Sequence, residues 1–191
     1  MKLLKNRGIA ITITVVIVIA STLFGIYSSA NRVTRDIEAT FYDGVFLEHE
    51  GRLQPALNTH LENASNAALG LGTILGNYPD LADKARALLS VQGEVVSATS
   101  ISSKEAAARD LRDIFAELMV STETVSLDER DSTAMEHHAA TFRGAFSAMH
   151  NTHYNIAAEE RLSEQSPIFR IISDFLSADQ PEFFHVLGLN Q

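Results

Sequence analysis

The sequence predicts an all-α protein, in which an N-terminal transmembrane helix continues into an antiparallel four-helix bundle with a short C-terminal capping helix. Three observations support this. An uncharged apolar run covers residues 8–31, later segments repeat apolar residues every three or four positions, and no stretch alternates with period two. Four prolines and no cysteine occur in 191 residues, so we expect long helices held together by packing alone.

The run at 8–31 is long enough to span a bilayer. As a helix it would measure about 36 Å at about 1.5 Å per residue, and a bilayer core is about 30 Å thick. Lys2, Lys5 and Arg7 precede it, which favours a cytoplasmic N-terminus. A cleaved secretory signal is the alternative, with Ser28-Ser29-Ala30 as its cleavage site, but the apolar run is longer than a signal needs.

We therefore expect two parts in the chain, with the lipid bilayer as partner of residues 8–31. Residues 1–31 form a cytoplasmic tail and an uncleaved single-pass anchor in the cytoplasmic (inner) membrane. Residues 32–191 form a helical bundle outside it, in the periplasm of a Gram-negative cell. This part is acidic, because 12 of the 15 Lys and Arg residues but all 24 Asp and Glu residues lie in it. That balance argues against binding to nucleic acid and to anionic lipid.

The anchor helix is expected to continue outward, because Val33, Ile37 and Phe41 repeat at four-residue spacing. Proline removes a hydrogen bond from any helix that contains it, so Pro55 predicts a kink or a break near residues 48–54. The next helix has the most regular apolar stripe in the chain, formed by Leu53, Leu57, Leu61, Ala64, Ala68, Leu71, Leu75 and Tyr78.

Small residues at the end of this helix leave two interpretations open. Ala64, Ala68, Gly72 and Gly76 recur at four-residue spacing and would let another backbone approach closely. Alternatively, Gly70 and the two later glycines only weaken the last turns. Residues 77–80 end the helix, and the following one is expected to bury Leu81, Ala85, Leu88, Val91 and Val95.

Capping motifs and apolar stripes place the remaining helices. The candidate capping boxes are Ser102-x-x-Glu105, Ser126-x-x-Glu129 and Thr133-x-x-Glu136. The helix after the first box is expected to bury Ala108, Leu111, Phe115, Leu118 and Val125. The last long helix, which we expect to reach about residue 165, has the stripe Met135, Ala139, Phe142, Phe146, Met149 and Ile156.

The C-terminal segment is unusually apolar. After Ser166-Pro167, a short helix contains Ile168, Ile171, Ile172 and Phe175, and a hydrophobic tail follows at residues 181–184. We expect this segment to cap the open end of the bundle. A docking patch for a partner, or insertion into the membrane, is the alternative.

Part of this sequence resembles the LemA family of membrane-anchored helical-bundle proteins. Between residues 42 and 57, the matching positions are Val45, Leu47, Leu53, Pro55 and Leu57, whereas His49 and Glu50 replace the family's basic pair. Later matches are Tyr154-Asn155, Pro167, Phe175 and Phe183-Phe184. The resemblance agrees with an anchor followed by a bundle, and it implies a family without an established catalytic activity.

Motifs that carry catalysis or cofactor binding are missing from the sequence. Helix bundles that bind two metals use Glu-x-x-His pairs from two helices, but only His185 has a glutamate three residues before it. His150 and His153 share a helical face and are interpreted as surface or interhelix residues. Residues 70–76 have the wrong glycine spacing for a dinucleotide loop and no preceding strand. We predict no catalytic, cofactor-binding or metal site.

An acidic helix face is interpreted as solvated. Asp110, Asp113 and Glu117 share this face, and Arg109 and Arg112 lie beside them. Calcium needs six or more converging oxygen ligands, which a charge-balanced surface of one helix does not supply.

These features favour a non-enzymatic membrane protein that presents an acidic helical bundle as an interaction or scaffolding module in the cell envelope. Its partners would be other envelope proteins, or further copies of itself through Ser21, Gly25 and Ser29, whose spacing permits close helix approach in a membrane. A sensory or ligand-binding bundle that works through a separate transducer is the alternative.

Overall fold

The computed structural model describes residues 7–47, 51–150, 152, 154, 159, 163, 182 and 184. These residues form five α-helices and one short β-hairpin, which confirms the predicted helical class. They divide into two compact units. The first contains the N-terminal apolar helix up to Ile37, and the second begins at Glu38 and contains the later elements.

Helix α1, Arg7–Asp43, is continuous over 37 residues. The prediction that the helix of residues 8–31 continues without a break is therefore confirmed, and Ile37 and Phe41 are both buried. Gly44 ends the helix by turning the chain at a φ of +82°, a backbone conformation that glycine adopts without a steric penalty. Its amide still donates a hydrogen bond of 3.0 Å to the carbonyl of Thr40.

A β-hairpin separates α1 from the next helix, so the chain breaks near Pro55 rather than bending. Strand β1, Val45–Leu47, pairs antiparallel with β2, Arg52–Gln54, and Phe46 lies opposite Leu53. The prediction that Leu53 starts the buried helical stripe is wrong, because Leu53 lies in the hairpin and is 61% exposed. Strands of three residues are too short to show the alternation that identifies a strand in a sequence.

Helix α2, Leu57–Leu75, has the predicted apolar face and packs against two later helices, α3, Ala82–Ser97, and α5, Glu129–His150. The predicted stripe from Leu57 to Leu75 is buried at each of its positions, which are Leu57, Leu61, Ala64, Ala68, Leu71 and Leu75. Tyr78 lies beyond the end of the helix.

Two glycines allow these close contacts. A Cβ atom on Gly70 would lie 2.5 Å from the His138 ring of α5, and one on Gly72 would lie 2.6 Å from the Leu89 side chain of α3. Both distances are shorter than van der Waals contact. At Gly72 the backbone oxygen of Ala85 also lies only 3.3 Å from this Cβ position, so a close approach of backbone is found there. Gly70 makes room for a side chain instead, so neither of these glycines only weakens the helix.

Helix α3 buries its predicted residues Leu81, Ala85, Leu88, Val91 and Val95, the first of them just before the helix. Helix α4, Ile101–Thr122, packs against α3 and buries Ala108, Leu111, Phe115 and Leu118 as predicted. Val125 lies beyond this helix and is only half-buried.

The predicted capping boxes are wrong, because residues other than those predicted cap the helices. The Ser100 hydroxyl accepts a 3.1 Å hydrogen bond from the Ser103 amide, and the Ser103 hydroxyl accepts one from the Ser100 amide. At the start of α5, a carboxylate oxygen of Asp128 accepts a 2.8 Å hydrogen bond from the Asp131 amide. Thr133 lies inside the helix instead. In both helices the cap is thus shifted along the chain by two residues from the position that the motif indicated.

Helix α5 contributes stacked aromatic rings to the core. Ala139, Phe142, Phe146 and Met149 are buried as predicted, and Met135 is half-buried. The Phe142 ring stacks on Phe115 of α4 and on Phe146, with ring centroids 4.0 Å and 4.7 Å apart. Helix α5 ends at His150 and Thr152 is not helical, so the prediction that this helix continues unbroken to about residue 165 is wrong. Residue 156 and the predicted capping helix lie outside the described residues.

Candidate functional site

The apolar surface of α1 is the most prominent candidate for function. Every residue from 11 to 20 is exposed, around the full circumference of the helix. The exposed large apolar side chains of the segment are Ile9, Ile11, Ile13, Val15, Val16, Ile17, Val18, Ile19, Phe24 and Tyr27. Among the described residues, this is the one helix that is long and apolar enough to cross a membrane.

The threonines of this segment satisfy their own hydroxyl groups. Thr12, Thr14 and Thr22 each donate to the carbonyl oxygen four residues earlier, at 3.1, 3.0 and 2.9 Å. A hydroxyl group without a partner costs several kcal/mol in an apolar medium, and these bonds remove much of that cost. These three threonine side chains are therefore compatible with lipid.

Charged side chains begin directly after the apolar segment. The Arg32 Nε atom lies 4.0 Å from an Asp36 carboxylate oxygen in an exposed i, i+4 pair, and the Arg35 Nε atom donates to the carbonyl of Asn31 at 3.2 Å.

Along the same helix, Ser21, Gly25 and Ser29 are exposed, and apart from the backbone of the helix itself no heavy atom lies within 4 Å of a Cβ built on Gly25. This face therefore leaves room for a second backbone.

A cluster of buried aromatic rings forms where α1 ends. We call Phe41, Tyr154 and Phe184 the aromatic cluster: the Phe41 ring lies 5.5 Å from Tyr154 and 5.4 Å from Phe184. Each is at most 2% exposed. Tyr42 adds an edge-on contact to Phe41 at 5.0 Å. Residues from the two ends of the second unit are thus brought together here.

Glu182 connects this cluster to α4. Its backbone carbonyl accepts a 2.7 Å hydrogen bond from the Tyr154 hydroxyl. Its carboxylate accepts a 2.6 Å hydrogen bond from the Ser102 amide, one of the first amides of α4, which have no acceptor within their own helix. Glu105, which the predicted capping box assigned to this task, instead pairs with Arg109 at 2.6 Å.

The surroundings of the cluster raise the pKa of two phenols. Burial is the main cause of the raised pKa of Tyr154, and the negative charges of Glu38 and Glu182 add to it. Burial, Glu38 and Glu182 also raise the pKa of Tyr42. Both hydroxyls therefore stay protonated at neutral pH, and the Tyr154 hydroxyl remains a hydrogen-bond donor.

Tyr78 joins the loop between α2 and α3 to the start of α5. Its hydroxyl donates to a carboxylate oxygen of Asp131 at 2.9 Å and accepts from the Asp128 amide at 3.3 Å. The second of these contacts lowers the pKa of Tyr78, but partial burial and the two carboxylates outweigh it and raise the pKa overall. These bonds hold two loops side by side.

The histidines that the structure describes do not converge on a site. His138 packs on Gly70 with His137 beside it, the two histidine rings being 5.7 Å apart. His150 is exposed, and His153 lies outside the described residues. In the part of the chain that the structure describes, no group of three or more metal-binding side chains is placed to hold an ion.

The acidic face of α4 and the glycine-rich segment also have structural explanations. Asp110, Asp113 and Glu117 are exposed, and Asp113 pairs with Arg112 at 2.7 Å. The glycine-rich segment lies in the helical end of α2, so it forms no phosphate-binding loop.

The aromatic cluster and the Glu182 contacts could not be identified from the sequence. They join residues that lie far apart in the sequence, such as Ser102 and Glu182, which are 80 positions apart, and no local spacing marks such a pair. The one available signal was the density of aromatic residues near the C-terminus. The hairpin had a signal of its own, since Gly44 and Gly51 flank its first strand and the turn.

The fold and these surfaces define a helical protein that has, within its described residues, one helix long and apolar enough to cross a membrane. Comparison with protein-family models, with curated proteins and with solved structures gives no match. The resemblance to the LemA family therefore stays a prediction.

Proposed function

We propose that this chain is a non-enzymatic, single-pass membrane protein of LemA-like type that presents an acidic helical bundle as an interaction module in the cell envelope. Residues 8–31 would span the cytoplasmic membrane with the N-terminus inside. The bundle would lie outside, in the periplasm of a Gram-negative cell.

The observation that carries this proposal is the exposed apolar surface of α1. Nine Ile, Val and Phe side chains of the segment are exposed, from Ile9 to Phe24. Each such residue favours insertion by about 0.3–0.6 kcal/mol at the centre of a membrane helix, so together they favour it by roughly 3–5 kcal/mol. A helix that is apolar on all sides is either buried in protein or placed in lipid.

We infer an antiparallel four-helix bundle from α2 to α5. The connections between successive helices are short, which favours antiparallel neighbours. The bonds from Tyr78 to Asp128 and Asp131 support this arrangement, because they join the α2–α3 loop to the α4–α5 loop. These two loops lie at the same end of an up-down-up-down bundle.

Membrane fractionation with protease treatment tests the anchor and its orientation. We expect the full-length chain in the membrane fraction, resistant to alkaline extraction, with the bundle digested only from outside. Replacing Val16 by arginine should weaken insertion by about 3–4 kcal/mol, because the cost of arginine adds to the loss of the valine contribution. The matched change at Val120, which is 66% exposed on α4, should leave extraction unchanged. A shortened chain found free in the soluble fraction would refute the proposal.

Self-association through Ser21, Gly25 and Ser29 can be tested separately, by resonance energy transfer between labelled chains in nanodiscs or membranes. Gly25→Leu should reduce the transfer, because its side chain would fill the space that a second helix needs. Ala20→Leu is the matched control, since it adds most of the same volume at another exposed position of the same helix. Equal transfer in both variants and the wild type would refute self-association through the face that contains Gly25.

A further inference from the structure

Glu182 and Phe184, which we call the latch residues, occupy a site built from three separate parts of the chain. The end of α1 supplies the ring of Phe41, the stretch after α5 supplies Tyr154, and the start of α4 supplies the amide of Ser102. Phe184 is 2% exposed. The site therefore encloses an aromatic side chain and also binds the acidic residue two positions before it.

Each contact recognises a different chemical group. The Ser102 amide belongs to the first turn of α4, where free N–H groups and the helix dipole favour an anion, and the Glu182 carboxylate lies there at 2.6 Å. The Tyr154 hydroxyl donates to the Glu182 backbone carbonyl at 2.7 Å. Every residue has this carbonyl, so the bond positions the segment independently of its sequence. The ring of Phe184 fills the remaining space beside Phe41.

The Ser102 amide has this carboxylate as its acceptor although Ser100 caps the same helix. Ser100 accepts from the amide of Ser103 and, through its backbone carbonyl, from that of Lys104. The amide of Ser102 is left for an acceptor from elsewhere in the chain, and Glu182 supplies it. Exchange of this single amide with solvent therefore reports directly on the latch.

We propose that this is a peptide-recognition site for an acidic residue followed two positions later by an aromatic one, and that Glu182 and Phe184 fill it as a displaceable latch. The contacts use one anion, one backbone carbonyl and one ring, and a second peptide with this pattern offers the same groups. A tethered segment competes at an effective concentration on the order of millimolar. A free peptide at millimolar concentration therefore competes with the latch on comparable terms, and it meets no competitor when the latch residues are removed.

Hydrogen exchange at the Ser102 amide tests the latch in the full-length chain in detergent micelles. In the variant Glu182→Ala/Phe184→Ala, we expect this amide to exchange at least tenfold faster than in the wild type. Glu105→Ala is the matched control: it removes a carboxylate from the same end of α4 but leaves the acceptor of Ser102 in place. Its exchange at Ser102 should equal that of the wild type.

Addition of a synthetic peptide of residues 178–188 tests recognition. At millimolar concentration it should restore slow exchange at Ser102 in the double variant, whereas the same peptide with Ala at the positions of Glu182 and Phe184 should not. In the wild type, exchange at Ser102 should stay slow with either peptide, because Glu182 already protects this amide. Circular dichroism during heating verifies folding, and Glu182→Ala alone replaces the double variant if that variant melts below the assay temperature.

Two results would overturn the proposal. Unchanged exchange at Ser102 in the folded variants would mean that Glu182 does not protect this amide. Faster exchange that the unmodified peptide fails to reverse would mean that the latch residues are a fixed part of the fold and that the site recognises no peptide. Neither result bears on membrane insertion, so failure here is distinguishable from failure of the proposed anchor.

Discussion

Replacing Gly44 by alanine tests the turn between the end of α1 and the start of the hairpin. Gly44 has a φ of +82°, and a Cβ atom there would collide with the carbonyl oxygen of Gln54 and lie 3.0 Å from the Ala56 nitrogen. These neighbours are backbone atoms, which cannot rotate away as a side chain would. The substitution therefore strains both the turn and the hairpin next to it.

The expected loss has two parts. A residue with a side chain pays roughly 1–2 kcal/mol in the left-handed region, and forcing extra volume into a packed site costs about 1–3 kcal/mol. For Gly44→Ala the sum is roughly 2–5 kcal/mol. Gly51 has a φ of +61° but nothing within 4 Å of its Cβ position, so Gly51→Ala pays only the first part. Alanine also restricts the unfolded chain, which offsets about 0.4–1 kcal/mol in either variant.

Thermal and urea unfolding of the full-length chain in micelles, followed by circular dichroism, compares the two variants. Gly44→Ala should lose at least about 1 kcal/mol more than Gly51→Ala, which for a chain of this size corresponds to about 2–4 °C in Tm. Equal losses would show that the collision with Gln54 is relieved without cost. A larger loss for Gly51→Ala would refute the steric argument altogether.

Three further predictions concern the packing of α5 and the aromatic cluster. Phe142→Ala should lower the free energy of unfolding by about 3–5 kcal/mol in urea titrations, whereas Val120→Ala on the exposed surface should change it by less than about 0.5 kcal/mol. Gly70→Ala should destabilise the protein by about 1–3 kcal/mol because its Cβ meets the His138 ring, and in a double-mutant cycle His138→Ala should recover most of that loss. Burial raises the pKa of Tyr154 above the value of about 10 in an unfolded chain. The free energy of unfolding should therefore be unaffected by this tyrosine below pH 10 and should fall as the pH rises above it, because the unfolded chain ionises first. Urea unfolding between pH 9 and 12 should show a shallower loss for Tyr154→Phe, and an unchanged slope would contradict the assignment.

Local patterns predicted the helices correctly because each helix is defined by its own buried face. The stripe of α2 and the inward residues of α3 follow from spacing alone, since a helix brings residues three and four apart onto one side. The same reasoning failed at the hairpin. There, Leu53 continued the spacing of the α2 stripe, although Gly44 had already turned the chain out of the helix.

Capping shows a second limit of local reasoning. Ser, Asp and Glu are frequent near helix starts, so several neighbouring positions satisfy the same motif. Ser100, and not Ser102, has the extended backbone of a capping residue, with a φ of −102° and a ψ of 158°. The acceptor for the Ser102 amide lies 80 residues away in Glu182, and only the folded chain brings the two together.

The two proposals depend on different kinds of information and can therefore be separated experimentally. Membrane insertion of α1 follows from the composition of one continuous segment, and a change such as Val16→Arg alters it without touching any residue of the latch. The latch follows from contacts between distant residues, and removal of the Glu182 carboxylate leaves the apolar surface of α1 intact. Val16→Arg should accordingly leave exchange at Ser102 slow, and Glu182→Ala should leave alkaline extraction unchanged. If either variant affected both measurements, anchor and latch would have to be energetically coupled through α1, because α1 contains both the apolar segment and Phe41, which contacts Phe184.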